Sequence, residues 1–183
     1  MTNNKPELWD MLDKNGNKTG RTQERGWLGA GNYHLIVHIW INNSAGQFMI
    51  SKRTPNKRWP NMWGCTIGSA VSGDDSLTTA LKEVQEEIGI VLDQKNGQLF
   101  KQYRRDFEDN CGEFIDVWVF DQEIDALKLS LQPDEVCDAK WSNQQQIKQM
   151  IDDQTFLSLD EEACPYINEL FSFCEQTKNK SKK

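Results

Sequence analysis

The chain has 183 residues, of which 37% are hydrophobic and 27% charged, and its formal net charge is −7. This length suits one domain with a real core, while the acidic balance argues against a nucleic-acid-binding protein, whose surface is normally basic. No apolar run reaches the roughly 18 residues of a membrane span, and the first residues lack the apolar core of a signal peptide. The five cysteines are odd in number and show no CxxC spacing, which indicates reduced thiols in a cytoplasmic protein.

The hydrophobic pattern predicts strands and helices in alternation. Residues 1–30 contain the hairpin signal Asn15-Gly16 and are expected to form a hairpin extension packed on the main domain. Branched and aromatic residues then predict strands over 33–41, 47–53, part of 65–75, 99–108, 114–120 and 136–141. Helices are predicted over 76–88, 143–151 and 162–176, with Pro165 in the first turn of the last one. We therefore expect a single α/β domain over 31–176, followed by a disordered basic tail over 177–183.

The helix predicted over 76–88 carries three carboxylates beside its apolar face. Asp75 or Ser76 can cap its start, and Gly89 stands where a C-terminal glycine belongs. The apolar arc consists of Leu77, Leu81, Val84 and Ile88. The acidic arc beside it consists of Glu83, Glu86 and Glu87. Like charges at this spacing repel each other. Either solvent covers the acidic arc or a cation binds there.

The segment that includes this helix resembles a known signature. From Gly68 to Ile90 it reads GSAVSGDDSLTTALKEVQEEIGI, which is similar to the Nudix box, with Asp74 in place of the usual glutamate and Lys82 in place of the usual arginine. Both replacements keep the charge. The resemblance to the Nudix hydrolase family, of the MutT-like type, implies an α/β/α sandwich with a mixed sheet.

The resemblance also implies a metal-dependent hydrolase. Carboxylate oxygens suit Mg²⁺, with Mn²⁺ as the second option, and the family pattern assigns metal binding to Glu83, Glu86, Glu87 and the backbone carbonyl of Gly68. The general base would be a box glutamate, Glu86 or Glu87, or a carboxylate of a later loop, for which Glu135 in QPDEV is the candidate. A solvated turn is the alternative explanation of QPDEV.

Residues 8–140 resemble the Nudix subgroup related to isopentenyl-diphosphate isomerase. The similar stretches are WDMLDKNGNKTG, YHLIVHIW and SKRTPNKRWPNMW. The isomerases carry a catalytic cysteine and a metal-binding histidine where this chain has Gly68 and Ala70, and the nearest thiol, Cys65, is expected on the opposite strand face. We therefore favour hydrolysis over isomerisation. A catalytically silent diphosphate-binding module is a third possibility, which the presence of all three carboxylates disfavours.

Several cations and aromatic residues are candidates for substrate binding. Basic side chains around the loop at 54–64 can bind a diphosphate, Trp59 is the tryptophan expected to be exposed, and His34 matches a metal-binding histidine of the isomerases. The substrate-binding candidates are Arg53, His34, Lys52, Arg58 and Trp59, with Lys57, Arg104 and Arg105 as further cations. The expected substrate is a small molecule with a diphosphate linkage, and we predict that it is a nucleoside-diphosphate-linked compound. Homodimers occur in the family, but the sequence shows no interface signature.

Overall fold

The computed structural model describes residues 6–157 and 165–181. Within these ranges the chain forms nine strands, three α-helices and three short 3-10 helices. The strands are Leu8–Leu12 (β1), Lys18–Glu24 (β2), Tyr33–Asn42 (β3), Phe48–Arg53 (β4), Trp63–Gly64 (β5), Thr66–Ser69 (β6), Gly97–Asp106 (β7), Gly112–Asp121 (β8) and Val136–Ser142 (β9). The helices are Ser76–Ile88 (α1), Gln144–Asp152 (α2) and Ile167–Ser181 (α3).

Strand β3 is the centre of a mixed sheet. It runs parallel to β8 along its whole length and antiparallel to β6, where Val37 lies opposite Gly68. It pairs with β4 only near its end, at Ile41 and Asn42. Strand β5 pairs with β4 instead, and the following β6 returns to β3. The sheet therefore opens between β4 and β6, and the candidate site lies at this opening.

Alternation along β3 divides the core into two layers. Val37, Ile39 and Ile41 pack with Val84 and Ile88 of α1 on one face of the sheet. The other face is covered by α2 and α3, since Ile36 and Trp40 share a cluster with Ile147, Leu170 and Phe171. One helix on one face and two on the other confirm the predicted α/β/α sandwich.

The N-terminal hairpin joins the same sheet. β1 and β2 pair antiparallel around the turn at Asn15-Gly16, and Leu12 lies opposite Tyr33 of β3. The boundary of the predicted extension at residue 30 stays a prediction. In the described parts of the chain, no helix combines the length and the apolarity that crossing a membrane requires.

The last predicted helix is the least accurate of the three. The structure begins α3 at Ile167, so Pro165 lies before the helix and not in its first turn, and residues 162–164 lie outside the described ranges. The helix also continues to Ser181, where the sequence predicted a disordered tail from residue 177. The turns of α3 before residue 177 are anchored because Leu170, Phe171 and Cys174 pack in the core. Helix propagation from an anchored segment costs less than nucleation, so polar residues can extend it.

Candidate active site

Helix α1 is fixed at both ends, and this sets the orientation of its glutamates. The Asp75 carboxylate accepts a hydrogen bond from the Thr78 N–H at 2.7 Å, and Gly89 ends the helix with φ 76°. A side chain at Gly89 would lie 2.7 Å from Cβ of Ser130, in the loop before β9. The prediction of both helix ends is confirmed. The C-terminal turn of α1 is therefore held against the loop that leads to Glu135.

The two positions that depart from the signature contact each other. The Lys82 ammonium lies 2.8 and 2.7 Å from the two carboxylate oxygens of Asp74. This ion pair joins the loop before α1 to the middle of the helix. The shorter acid and the lysine thus form a matched pair of opposite charge.

Gly68 leaves the space that Glu83 occupies. The two residues are so close that a Cβ atom added at Gly68 would overlap the Cγ and Cδ atoms of Glu83. Gly68 lies on the α1 face of the sheet because it is opposite Val37, which packs under α1. Only glycine permits this approach, and the Glu83 carboxylate is thereby held against the β6 backbone.

The carboxylates at this point are buried and repel each other. Glu87 is only 8% exposed, and burial, helped by the charges of Glu83 and Glu135, raises the pKa of Glu87 to about 8. Burial, followed by the charge of Glu86, raises the pKa of Glu83 to about 7. The Arg53 charge and a hydrogen bond from Thr66 act in the opposite direction on Glu87. Such a cluster favours the binding of a cation.

The residue types fit a hard divalent ion, because all the side-chain donors are carboxylate oxygens and the Gly68 backbone comes close to one of them. Among the described residues, no three His, Cys, Asp or Glu side chains already converge closely enough to hold a metal ion. The side chains of Glu83, Glu86 and Glu87 would therefore have to rotate toward a common point. Glu86 is exposed and is free to do so.

A carboxylate from outside α1, Glu135, and an arginine complete the site. Arg53, Glu87 and Glu135 line one small pocket at the opening between β4 and β6. The guanidinium of Arg53 donates from Nε to the Arg58 carbonyl at 2.8 Å, which fixes it at the end of β4. The predicted candidates Arg53, Glu87 and Glu135 are thus brought together by the fold.

The loop at 54–62 and the loop before β9 are joined beside this pocket. The Thr54 N–H donates to the Glu135 carbonyl at 3.1 Å, and the Thr54 hydroxyl donates to the Asp134 carbonyl at 3.1 Å. The Lys57 ammonium forms an ion pair with the Glu135 carboxylate. QPDEV is therefore not simply a solvated turn.

Arg58 and Trp59 form an exposed pair on the same loop. The Arg58 guanidinium carbon lies 4.1 Å from the centroid of the Trp59 ring, and Trp59 is 47% exposed. The prediction that Trp59 is exposed is confirmed. The pair offers a flat cationic and aromatic surface next to the pocket.

The structure separates His34 and Lys52 from the carboxylates. His34 and Val37 are three residues apart on β3, so they face opposite sides of the sheet. The His34 ring stacks on Trp9 at 4.0 Å, and its Nε2 lies 3.5 Å from a Glu113 oxygen. Lys52 likewise alternates with Arg53 and lies over Trp63, 5.8 Å from the ring centroid. The fold does not bring these two side chains together with the carboxylates, and their role in substrate binding stays a prediction.

The sequence patterns did not indicate two residues that act on the site, and they indicated a third, Lys57, only as a further cation. Thr66 bonds to Glu87, the Arg25 charge lowers the pKa of Glu83 against the larger effect of burial, and Lys57 pairs with Glu135. Thr66 was detectable in principle, since it lies two residues before Gly68 and so on the same strand face. Arg25 gave no such signal, and neither did the pairing of Lys57 with Glu135, because both contacts depend on how the hairpin and the loops pack.

Comparison with known proteins gives consistent matches. A family model described as "NUDIX domain" matches residues 32–159. An uncharacterized Nudix hydrolase of Listeria monocytogenes is 35% identical over 176 residues, which cover 93% of this chain and 97% of that protein. An isopentenyl-diphosphate Delta-isomerase of Citrobacter koseri is 24% identical over 148 residues, or 77% of this chain and 80% of that one. A crystal structure from Deinococcus radiodurans superposes with a TM-score of 0.69 at 19% identity, covering 92% of this chain and 99% of the other.

Proposed function

Because the chain belongs to the Nudix family of pyrophosphohydrolases, we propose that it is a Mg²⁺-dependent enzyme that cleaves the diphosphate linkage of a small, nucleoside-diphosphate-linked molecule. The observation that carries this proposal is the approach of Glu83 to Gly68 beside the buried Glu87. A buried, mutually repelling carboxylate pair is costly unless a cation compensates it. A divalent cation such as Mg²⁺, held by protein carboxylates, commonly takes substrate phosphate oxygens as its further ligands.

Glu83, Glu86, Glu87 and the Gly68 carbonyl would hold the metal. When bound, Mg²⁺ neutralises the diphosphate oxygens and makes an associated water more acidic. The chain itself supplies orientation, since Arg53 is fixed at the pocket wall and its guanidinium can bind two phosphate oxygens.

Hydrolysis adds one water across the P–O–P bridge. The water oxygen bonds to phosphorus, the bond from phosphorus to the bridging oxygen breaks, and a carboxylate takes the water proton. Glu135 is a candidate for this base because it lines the pocket without belonging to the proposed ligand set. Glu86 and Glu87 are the other candidates.

One observation argues against the isomerase reaction. The isomerase cysteine would have to stand at Gly68, where the Glu83 side chain leaves no room for a Cβ atom. Cys65 borders the same pocket as Glu87, but it stands three residues before Gly68 and packs in the core cluster on the α2 and α3 face of the sheet. Hydrolysis is therefore the reaction that this site supports better.

A turnover screen tests the proposal. Purified protein is incubated with Mg²⁺ or Mn²⁺ and with nucleoside triphosphates, ADP-ribose, NADH, nucleotide sugars or isopentenyl diphosphate, and products are separated by chromatography. Glu87→Gln is the test variant, and Glu175→Gln, an exposed carboxylate on α3, is the matched control. Metal-dependent cleavage by the wild type and the control but not by Glu87→Gln supports the proposal. Conversion of isopentenyl diphosphate to its isomer without cleavage would refute it.

A further inference from the structure

We propose that Lys57 binds a phosphate group of the substrate and that Glu135 holds Lys57 while no substrate is present. This assignment rests on the proposed function, because it requires that a diphosphate enters the pocket. It adds a role for a lysine outside the signature and couples substrate binding to the state of Glu135.

The contact that carries this inference is the ion pair between the Lys57 ammonium and the Glu135 carboxylate. Glu135 lines the same pocket as Glu87 and Arg53, so the ion pair holds the Lys57 ammonium against a residue of the pocket wall. The side chains of Lys57 and Glu135 are 29% and 30% exposed. An incoming anion can therefore reach this pair from solvent.

The backbone around Lys57 is fixed, so the movement required is confined to its side chain. The Arg53 N–H donates to the Met62 carbonyl at 3.0 Å, and the Asn61 N–H donates to the Arg53 carbonyl at 3.2 Å, which closes the base of the loop. The Thr54 N–H binds the Glu135 carbonyl. Because both partners are anchored through their backbones, the lysine stem can turn from the carboxylate to a nearby phosphate without rearranging the loop.

The charges favour this exchange. Glu83, Glu87 and Glu135 act on one another electrostatically, and Arg53 is the cation that acts on Glu87. A diphosphate adds further negative charge to this pocket and needs additional cations. A lysine ammonium is a compact charge with three donors that rotates freely, so it can replace one anionic oxygen by another.

The exchange has a consequence for the reaction. While Lys57 is bound to Glu135, the carboxylate is engaged with a cation and is not available to another partner. When a phosphate takes Lys57, the Glu135 carboxylate is released at the moment the substrate is in place. Lys57 is then a substrate-contacting residue, and its resting partner is a candidate base.

Binding of inorganic pyrophosphate in the presence of Mg²⁺, measured by titration calorimetry, tests the assignment without turnover. We expect Lys57→Met to weaken binding about tenfold or more and Lys57→Arg to stay within about threefold of the wild type. Glu135→Gln should bind at least as tightly as the wild type, because Lys57 no longer has to leave a carboxylate. Lys140→Met is the control, since the Lys140 ammonium lies over the Trp63 ring at 4.1 Å and not against Glu135.

Steady-state kinetics on a cleaved substrate separates the two partners. Lys57→Met should mainly raise KM, and Glu135→Gln should mainly lower kcat. If the Lys57–Glu135 ion pair only connects two loops, both substitutions should change the same kinetic parameters. Equal weakening of pyrophosphate binding by Lys57→Met and Glu135→Gln would therefore overturn the assignment. If the wild type and Lys57→Met bind pyrophosphate equally well, the role of Lys57 is refuted while the proposed function still stands. If the wild type binds no pyrophosphate in the presence of Mg²⁺, both the role of Lys57 and the proposed function are refuted.

Discussion

Replacing Glu87 by glutamine should stabilise the metal-free protein at alkaline pH. The folded protein raises the pKa of Glu87 from 4.5 to about 8, so the folded state binds a proton more tightly than the unfolded state does. This contribution to stability is fully present below pH 4.5 and is lost as the pH rises through about 8. Glutamine has nearly the same shape and no charge to bury, so it avoids the loss.

The structure sets the size of the effect. A pKa difference between 4.5 and about 8 corresponds to about 5 kcal/mol as a ceiling. Repulsion shared with Glu83 and relaxation of the site reduce this value. We therefore expect the free energy of unfolding of Glu87→Gln to exceed that of the wild type by about 2 kcal/mol at pH 8. For a chain of this length that is a rise in Tm of about 4–8 °C. At pH 4.5 the two proteins should have nearly equal stability.

Thermal and urea unfolding with EDTA at pH 4.5 and pH 8 measure this difference, and Glu175→Gln is the control with an exposed carboxylate. Addition of Mg²⁺ should reverse the order, because a ligand at about 100 times its Kd stabilises the wild type by about 2.7 kcal/mol and the variant lacks one of its proposed ligands. A Glu87→Gln protein that is less stable than the wild type at pH 8 in EDTA, or a difference that does not change with pH, would refute the reasoning.

Three further substitutions test local geometry, each by urea unfolding and by the stability gained with Mg²⁺. Gly68→Ala should cost about 2 kcal/mol or more and abolish the Mg²⁺ effect, because its Cβ overlaps Glu83; a wild-type response to Mg²⁺ would contradict the proposed ligand role of Glu83. Gly89→Ala should cost about 1–2 kcal/mol, because φ is 76° and Ser130 lies in the way, and equal stability would show that the helix end can shift. Asp74→Asn should cost only about 0.5 kcal/mol, since Lys82 is half exposed, whereas a large loss would mean that the pair orders the loop before α1.

The elements that sequence patterns predict best are those with local causes. Helix α1 has a capping aspartate, an apolar arc and a terminal glycine, and its predicted bounds agree with the structure. The start of α3 has no comparable signal. Its position depends on where Leu170 and Phe171 reach the core, and this is decided by the packing of the whole sheet and not by the residues around Pro165.

The same distinction holds within the site. Glu83, Glu86 and Glu87 are close in sequence, so helical spacing alone places them together. The faces of His34 and Lys52 depend on strand register, and a one-residue change would reverse them. The partner of Lys57 is 78 residues away at Glu135, and no pattern in either segment indicates that the two loops meet. Contacts of this range follow from the fold and cannot be read from local spacing.

The two departures from the signature, Asp74 and Lys82, compensate each other through a contact in the folded structure. Considered singly, aspartate at position 74 and lysine at position 82 each weaken the match, because the acid is shorter and lysine lacks the planar fork of arginine. In the fold they are partners, and both oxygens of Asp74 lie within 2.8 Å of the Lys82 ammonium. The Lys82 ammonium therefore lies beside an acid from the loop before α1. The pair preserves the connection between the loop and the helix, and Glu83, which follows Lys82 directly, keeps its orientation toward Gly68.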